Sequence, residues 1–130
     1  MKLLQPAHWA RPKGYANGVA VRGNQVFVAG MIGWDAQGAF HSDDLVAQVR
    51  QVLQNVVEVL AEAGARPEHI VRMTWYLTDK REYLKRGKEI GAVFRELIGS
   101  FNAAMTAVQV VALIEDRAQV EIEVTAVIPD

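Results

Sequence analysis

Val26-Phe27-Val28-Ala29-Gly30-Met31-Ile32-Gly33, residues 26–33, open on four apolar side chains in a row without a polar break. Successive side chains of a strand point to opposite faces, so this run asks for apolar cover on both sides. A later segment asks the same, because Val108 and Val110 alternate there with Ala107 and Val111. Two helices are legible in the chain, and together they cover one face of a sheet. A monomer would leave the other face wet. The pattern predicts a homo-oligomer whose subunits pack sheet faces or edges together, with clefts between subunits as natural ligand sites.

Working outward, Gly18 to Arg22 and Gln25 to Ile32 read as the first two strands, joined by Gly23-Asn24, a loop type that tolerates the positive φ of a tight hairpin. Before them, Pro6, Pro12 and Gly14 punctuate an extended arm over residues 1–17. After them, Leu45, Val49, Val52, Leu53, Val56 and Leu60 recur at helical spacing between Asp44 and Ala63. Ser42, Asp43 or Asp44 caps the start of that helix and Gly64 its end. Ile70 to Leu77 alternates Val71, Met73, Trp75 and Leu77 against Arg72, Thr74 and Tyr76, a third strand. Asp79 and Glu82 resemble a capping box and open a second helix through Ile90, Val93, Phe94 and Leu97 to Gly99. Ala104 to Leu113 and Ala118 to Ile128 complete the order β-β-α-β-α-β-β.

The chain of 130 residues fits one domain, residues 1–130, with 51% apolar and 22% charged residues, a globular balance. A net charge of -1 with no basic block makes nucleic acid a poor default partner. No cysteine is present, which excludes thiolate chemistry and Cys-bound zinc. Lys2-Leu3-Leu4 gives way to polar residues and Pro6, so neither a signal peptide nor a membrane span is expected, and the reading is cytoplasmic. His8, His41 and His69 lack metal-site spacing, and Ser42 and Ser100 sit in no nucleophile elbow. Gly30, Gly33 and Gly38 do not form a dinucleotide fingerprint. No metal site is expected.

In the last strand Val120, Ile122, Val124 and Ala126 take one face, and Glu121, Glu123 and Thr125 take the other. If an oligomer buries that second face, at least one carboxylate there is hydrogen-bonded, paired or functional. If it does not, both glutamates line solvent.

Gly14-Tyr15-Ala16-Asn17-Gly18, the 26–33 run, Leu53-Gln54-Asn55-Val56 with Ala61-Glu62-Ala63-Gly64, and Val120-Glu121-Ile122-Glu123 together resemble the RidA (YjgF) family over nearly the whole chain. Order and spacing carry the likeness rather than any one piece. The resemblance implies a chorismate-mutase-like α+β fold, with two helices on one face of a mixed sheet, assembled as a homotrimer. It also implies hydrolysis of enamines and imines such as 2-aminoacrylate to a keto acid and ammonia, without metal or organic cofactor. By that resemblance Glu121 is the catalytic residue that orients water, Tyr15 closes the pocket, and Gly30, flanked by Ala29 and Met31, brings backbone to the ligand.

The departures from the family pattern lie in the same pocket. The arginine that grips the substrate carboxylate in active members is Met105 here, a serine is Ala29, a cysteine is Ala107, and an asparagine of the second helix is Gly87. Losing a bidentate charge-assisted contact removes on the order of 1.5–3 kcal/mol. Family subgroups without the arginine generally do not process 2-aminoacrylate. All four exchanges widen the pocket or make it more apolar, and Trp34 and Trp75 are available as flat walls, although core packing is the favoured role for Trp75. Arg86, beside Gly87, is a candidate substitute anchor, against the usual solvated role of charges on such a helix.

Two functions follow. One is an enamine or imine hydrolase for a bulkier or more apolar metabolite. The alternative is a non-catalytic trimer of the same fold that captures or senses a small molecule in intersubunit clefts.

Overall fold

The computed structural model describes residues 1–130, with β1 (Lys2–Leu3), β2 (Val19–Ala20), β3 (Asn24–Ile32), α1 (Leu45–Glu62), a 3₁₀ turn (Pro67–His69), β4 (Ile70–Leu77), α2 (Lys80–Lys85), α3 (Gly87–Leu97), β5 (Ala104–Gln109) and β6 (Val120–Ile128). The main sheet is mixed and four-stranded, in the order β3-β6-β4-β5. β6 runs antiparallel to both neighbours, and β4 and β5 are parallel. The last strand of the chain is thus an interior strand, and β3 and β5 are the edges.

One face of the sheet is closed. Leu53, Val56 and Leu60 of α1 and Ile90 and Val93 of α3 pack with Met73, Trp75, Val120, Ile122 and Val124 in a core of 19 buried residues. Each large apolar side chain so buried contributes roughly 1.5–3 kcal/mol against exposure. Asp44 is the N-cap of α1 and accepts from the Ala47 N–H. Gln48 is the one buried polar side chain and is fully engaged: Nε2 donates to the carbonyls of Ser42 and Arg117, and Oε1 accepts from the Gln119 N–H. These bonds tie the start of α1 to the approach to β6.

Three features differ from the sequence reading. Gly23-Asn24 does not close a hairpin between the first two strands. β2 pairs instead with β1 in the N-terminal arm, and β3 pairs with β6. Gly23, at φ 148°, lies against the Ile128 carbonyl where a Cβ would collide, so the glycine serves a close backbone approach. The second helix is two helices, broken at Arg86 (φ -97°, ψ 18°). Gly87 is therefore the first residue of α3 rather than a helix interior, and carries little of the interior glycine penalty. Arg86 holds the break: its guanidinium donates to Asp44 at 2.9 Å, Glu82 at 3.2 Å and both oxygens of Glu89 at 2.8 and 2.9 Å. Finally, β5 ends at Gln109 instead of Leu113, because β4, the strand it pairs with, ends at Leu77 in register with it. Beyond that point Val111 and Ile114 are fully exposed.

Candidate functional site

A cleft of about 660 Å³ lies between the helices α2 and α3, the strand β5 and the N-terminal arm. Tyr15, Gly87, Met105 and Ala107 all line it, so four of the expected site residues converge from three distant parts of the chain. Met105 and Ala107 stand in register with Met73 and Trp75 of β4, whose side chains enter the core, and so they point to the helix-covered side. Its aromatic wall consists of Trp75, Tyr83, Phe94 and Phe101, with Phe94 and Phe101 edge to face at 5.3 Å and Trp75 within 6.0 Å of Tyr83 and 6.3 Å of Phe94. Burial holds the Tyr83 hydroxyl above its ordinary pKa, hence neutral. Trp75 is a core residue as well as a wall. Its buried indole Nε1 has no hydrogen-bond partner, a deficit that ordinarily costs about 1–3 kcal/mol.

Glu121 lies elsewhere. It opposes Ile32 on β3 and Tyr76 on β4, on the sheet face turned away from the helices. On β3 three residue steps, Val28 to Met31, span the two steps from Val124 to Ile122 on β6, so Ala29-Gly30 forms a bulge. Gly30 sits directly against the Glu121 carboxylate, where any Cβ would collide with it. The two glutamates of that face are not equivalent. Glu123 accepts a 2.6 Å hydrogen bond from the Tyr76 hydroxyl, which raises the tyrosine pKa and keeps its proton in place. No side-chain hydrogen bond or ion pair engages Glu121, whose carboxylate is left to meet another group.

Ala29 and Gly30 therefore accompany Glu121 and not the cleft, whereas Met31, opposite Ile122, packs against the core. Trp34 lies just past β3, its ring tilted against that of Phe40 at 6.0 Å, with its carbonyl accepting from Asn55; it joins neither group. Arg86 is occupied by three carboxylates and does not line the cleft. The cations that do are Lys13 and Arg95, which the sequence reading did not single out. Their signal was the spacing Gly87, Gly91, Arg95, four residues apart along one face of α3. His41 bonds Asp35 at 2.6 Å and His69 accepts from the Arg66 N–H, so the histidines are dispersed. No helix is long and apolar enough to cross a membrane.

This architecture, a mixed sheet with helices on one side, a bulge beneath an unpaired glutamate and a cleft behind the edge strand, defines a small α+β class. Residues 8–128 match the family model described as Endoribonuclease L-PSP. A RutC family protein of Pyrococcus abyssi is 34% identical over 103 residues, covering 78% of this chain and 77% of that protein. A 2-iminobutanoate/2-iminopropanoate deaminase of Salmonella typhimurium is 32% identical over 87% of this chain and 86% of its own length. Among solved structures, the conserved Rid family protein YyfB of Yersinia pestis superposes with a TM-score of 0.85 at 30% identity, covering 98% of both chains. The chain belongs to the RidA (YjgF) family, the family of the Endoribonuclease L-PSP model.

Proposed function

We propose that the protein is an imine and enamine hydrolase acting in a homotrimer, on a metabolite bulkier or more apolar than 2-aminoacrylate. The observation that carries the reading is Glu121: an unpartnered carboxylate seated over a glycine notch, on the sheet face turned away from the helices. The Salmonella relative, named as a deaminase of small imino acids, supports the reaction class. The cleft and Glu121 open on opposite faces of one sheet, so a single chain does not bring both to one ligand. A second copy does, with the cleft of one protomer against the Glu121 face of the next and Phe27, 71% exposed beside it, at the contact. Ala29 and Gly30 then belong with Glu121 to the half-site of the neighbour, and Tyr15, Gly87, Met105 and Ala107 to the cleft.

In that arrangement Glu121 orients a water and accepts its proton as oxygen adds to the imine carbon. The C=N π pair becomes the nitrogen lone pair, and the proton passes to nitrogen. The carbinolamine collapses: the C–N bond breaks, the hydroxyl proton follows the nitrogen, and a carbonyl compound and ammonia leave. An enamine enters as its imine tautomer. No step requires a metal or organic cofactor.

Ammonia release from imines generated in situ tests this directly. Glu121→Gln is expected to lose about 10²–10⁴-fold in rate with the oligomer intact in sedimentation, and an undiminished rate would discard the mechanism. Mixing Glu121→Gln subunits with cleft-blocked Gly87→Trp subunits, after dissociation and reassembly, is expected to restore part of the activity if each site draws on two chains.

The second reading is capture without turnover. It is favoured by Met105, Ala29 and Ala107, which leave the cleft and the notch without the family's charge, hydroxyl and thiol. Thermal stabilisation by a ligand in the absence of ammonia release would select it.

A further inference from the structure

We infer that the cleft takes small carboxylates bearing an aromatic or bulky apolar side chain, with Arg95 supplying the counter-charge that position 105 does not. The inference rests on the reading of the cleft as a substrate site. Arg95 and Lys13 are the cations in the cleft lining, and no carboxylate pairs with either. By contrast Arg50, Arg66, Arg86 and Arg117 all hold ion pairs. Arg95 is also aimed. Side chains of a helix lean toward its N-terminus, and the Arg95 guanidinium folds back over Gly91, its Nη1 3.3 Å from where a Cβ would stand. Gly87, one turn further along α3, also lines the cleft, so neither position adds a side chain to that face of the helix.

The rest of the cleft lining is built for apolar bulk. Phe94, Phe101, Tyr83 and Trp75 form the wall and Met105 the floor, and a volume of about 660 Å³ accommodates a ring that a three-carbon acid would leave unfilled. Met105 is flexible and polarisable, and it packs well against aromatic ligands. A charged group at the mouth and an aromatic slot behind it select one chemical class: a 2-imino or 2-keto acid with a phenyl-sized side chain. The planar guanidinium matches the carboxylate in a bidentate pair, which Lys13 cannot reproduce.

Binding and turnover are read separately. Phenylpyruvate, pyruvate and phenylacetone are titrated calorimetrically against the intact oligomer of the wild type, Arg95→Gln, Arg95→Lys and Lys13→Gln. The inference expects phenylpyruvate to bind at least ten-fold tighter than either comparison ligand. It expects Arg95→Gln to lose about 10–100-fold for phenylpyruvate and almost nothing for phenylacetone, with Arg95→Lys between. Equal affinity for phenylacetone and phenylpyruvate, or a loss that appears in Lys13→Gln and not in Arg95→Gln, overturns it. An unchanged melting temperature of Arg95→Gln excludes misfolding as the cause of a loss. Ammonia release from the imines of phenylalanine and alanine then separates the two claims. Arg95-dependent binding without turnover sinks the hydrolase and keeps the ligand class; turnover indifferent to Arg95 and to side-chain size does the reverse.

Discussion

The two faces of the main sheet are made from the same strands and obey different rules. Along β6, Val120, Ile122, Val124 and Ala126 are at most 2% exposed, while Glu121, Glu123 and Thr125 between them face outward. On β3, Val28 is 4% exposed and its neighbour Phe27 71%. The covered face is explained entirely by its own chain, since α1 and α3 supply complementary apolar surface. The open face is not, because an exposed phenylalanine, a glycine notch and an unpaired carboxylate do nothing for an isolated domain. The chain's own core is thus confined to one side of the sheet, and the unpaired carboxylate to the other.

Substitutions on each side sharpen that division. The largest loss of stability is expected from Trp75→Ala on the covered face, about 3–5 kcal/mol by chemical denaturation, because it empties the junction of β4, α2 and α3. Phe27→Asp on the open face is expected to dissociate the oligomer in sedimentation while leaving the far-ultraviolet spectrum of the chain intact. If the same change unfolds the chain, the two faces are not separable. The smallest effect lies at the helix ends. Asp44 is held below the ordinary carboxylate pKa by its hydrogen bond with Arg86 and then by the Ala47 N–H. Since the folded value is depressed, the stabilisation is fully present above the unfolded pKa of about 3.9 and is lost as pH falls through the folded value. Asp44→Asn keeps the cap and removes the charge, and is expected to cost roughly 0.5–1 kcal/mol at neutral pH. That difference should shrink as pH drops below about 4; a pH-independent gap would mean that the charge is not the cause.

What could be read from the chain divides along similar lines. The α1 periodicity and the alternation of β4 describe one-dimensional repeats, and the structure reproduces Ile70–Leu77 residue for residue. The partners of β3 and β2 were not legible, because a Gly-Asn pair announces local flexibility but not which strand competes for the ladder. The break at Arg86 was equally hidden: three carboxylates at positions 44, 82 and 89 converge on one guanidinium only after α1 is docked. For the site, Tyr15, Gly87, Met105 and Ala107 were grouped by resemblance, and the fold brings them to one cleft. Of its aromatic lining only Trp75 is legible as a wall, because Phe94 serves the core at the same time and core spacing masks a second role. Arg95 carries no signal in the sequence beyond its four-residue spacing from Gly91, because only the folded helix lays its guanidinium over that glycine.

The bulge at Ala29-Gly30 has a consequence for how such proteins diverge. Alternation has a period of two, and the extra residue shifts its phase, so Val28 before the bulge and Met31 after it both face the core. Deleting one residue there yields a regular strand with the same inward set on either side, and the notch beneath Glu121 disappears. A single-codon gain or loss is therefore a genetic on–off switch for the glutamate's seat, one that leaves the hydrophobic code of the sheet unread and unchanged. Descendants of such a protein can shed the notch in one step and keep the scaffold.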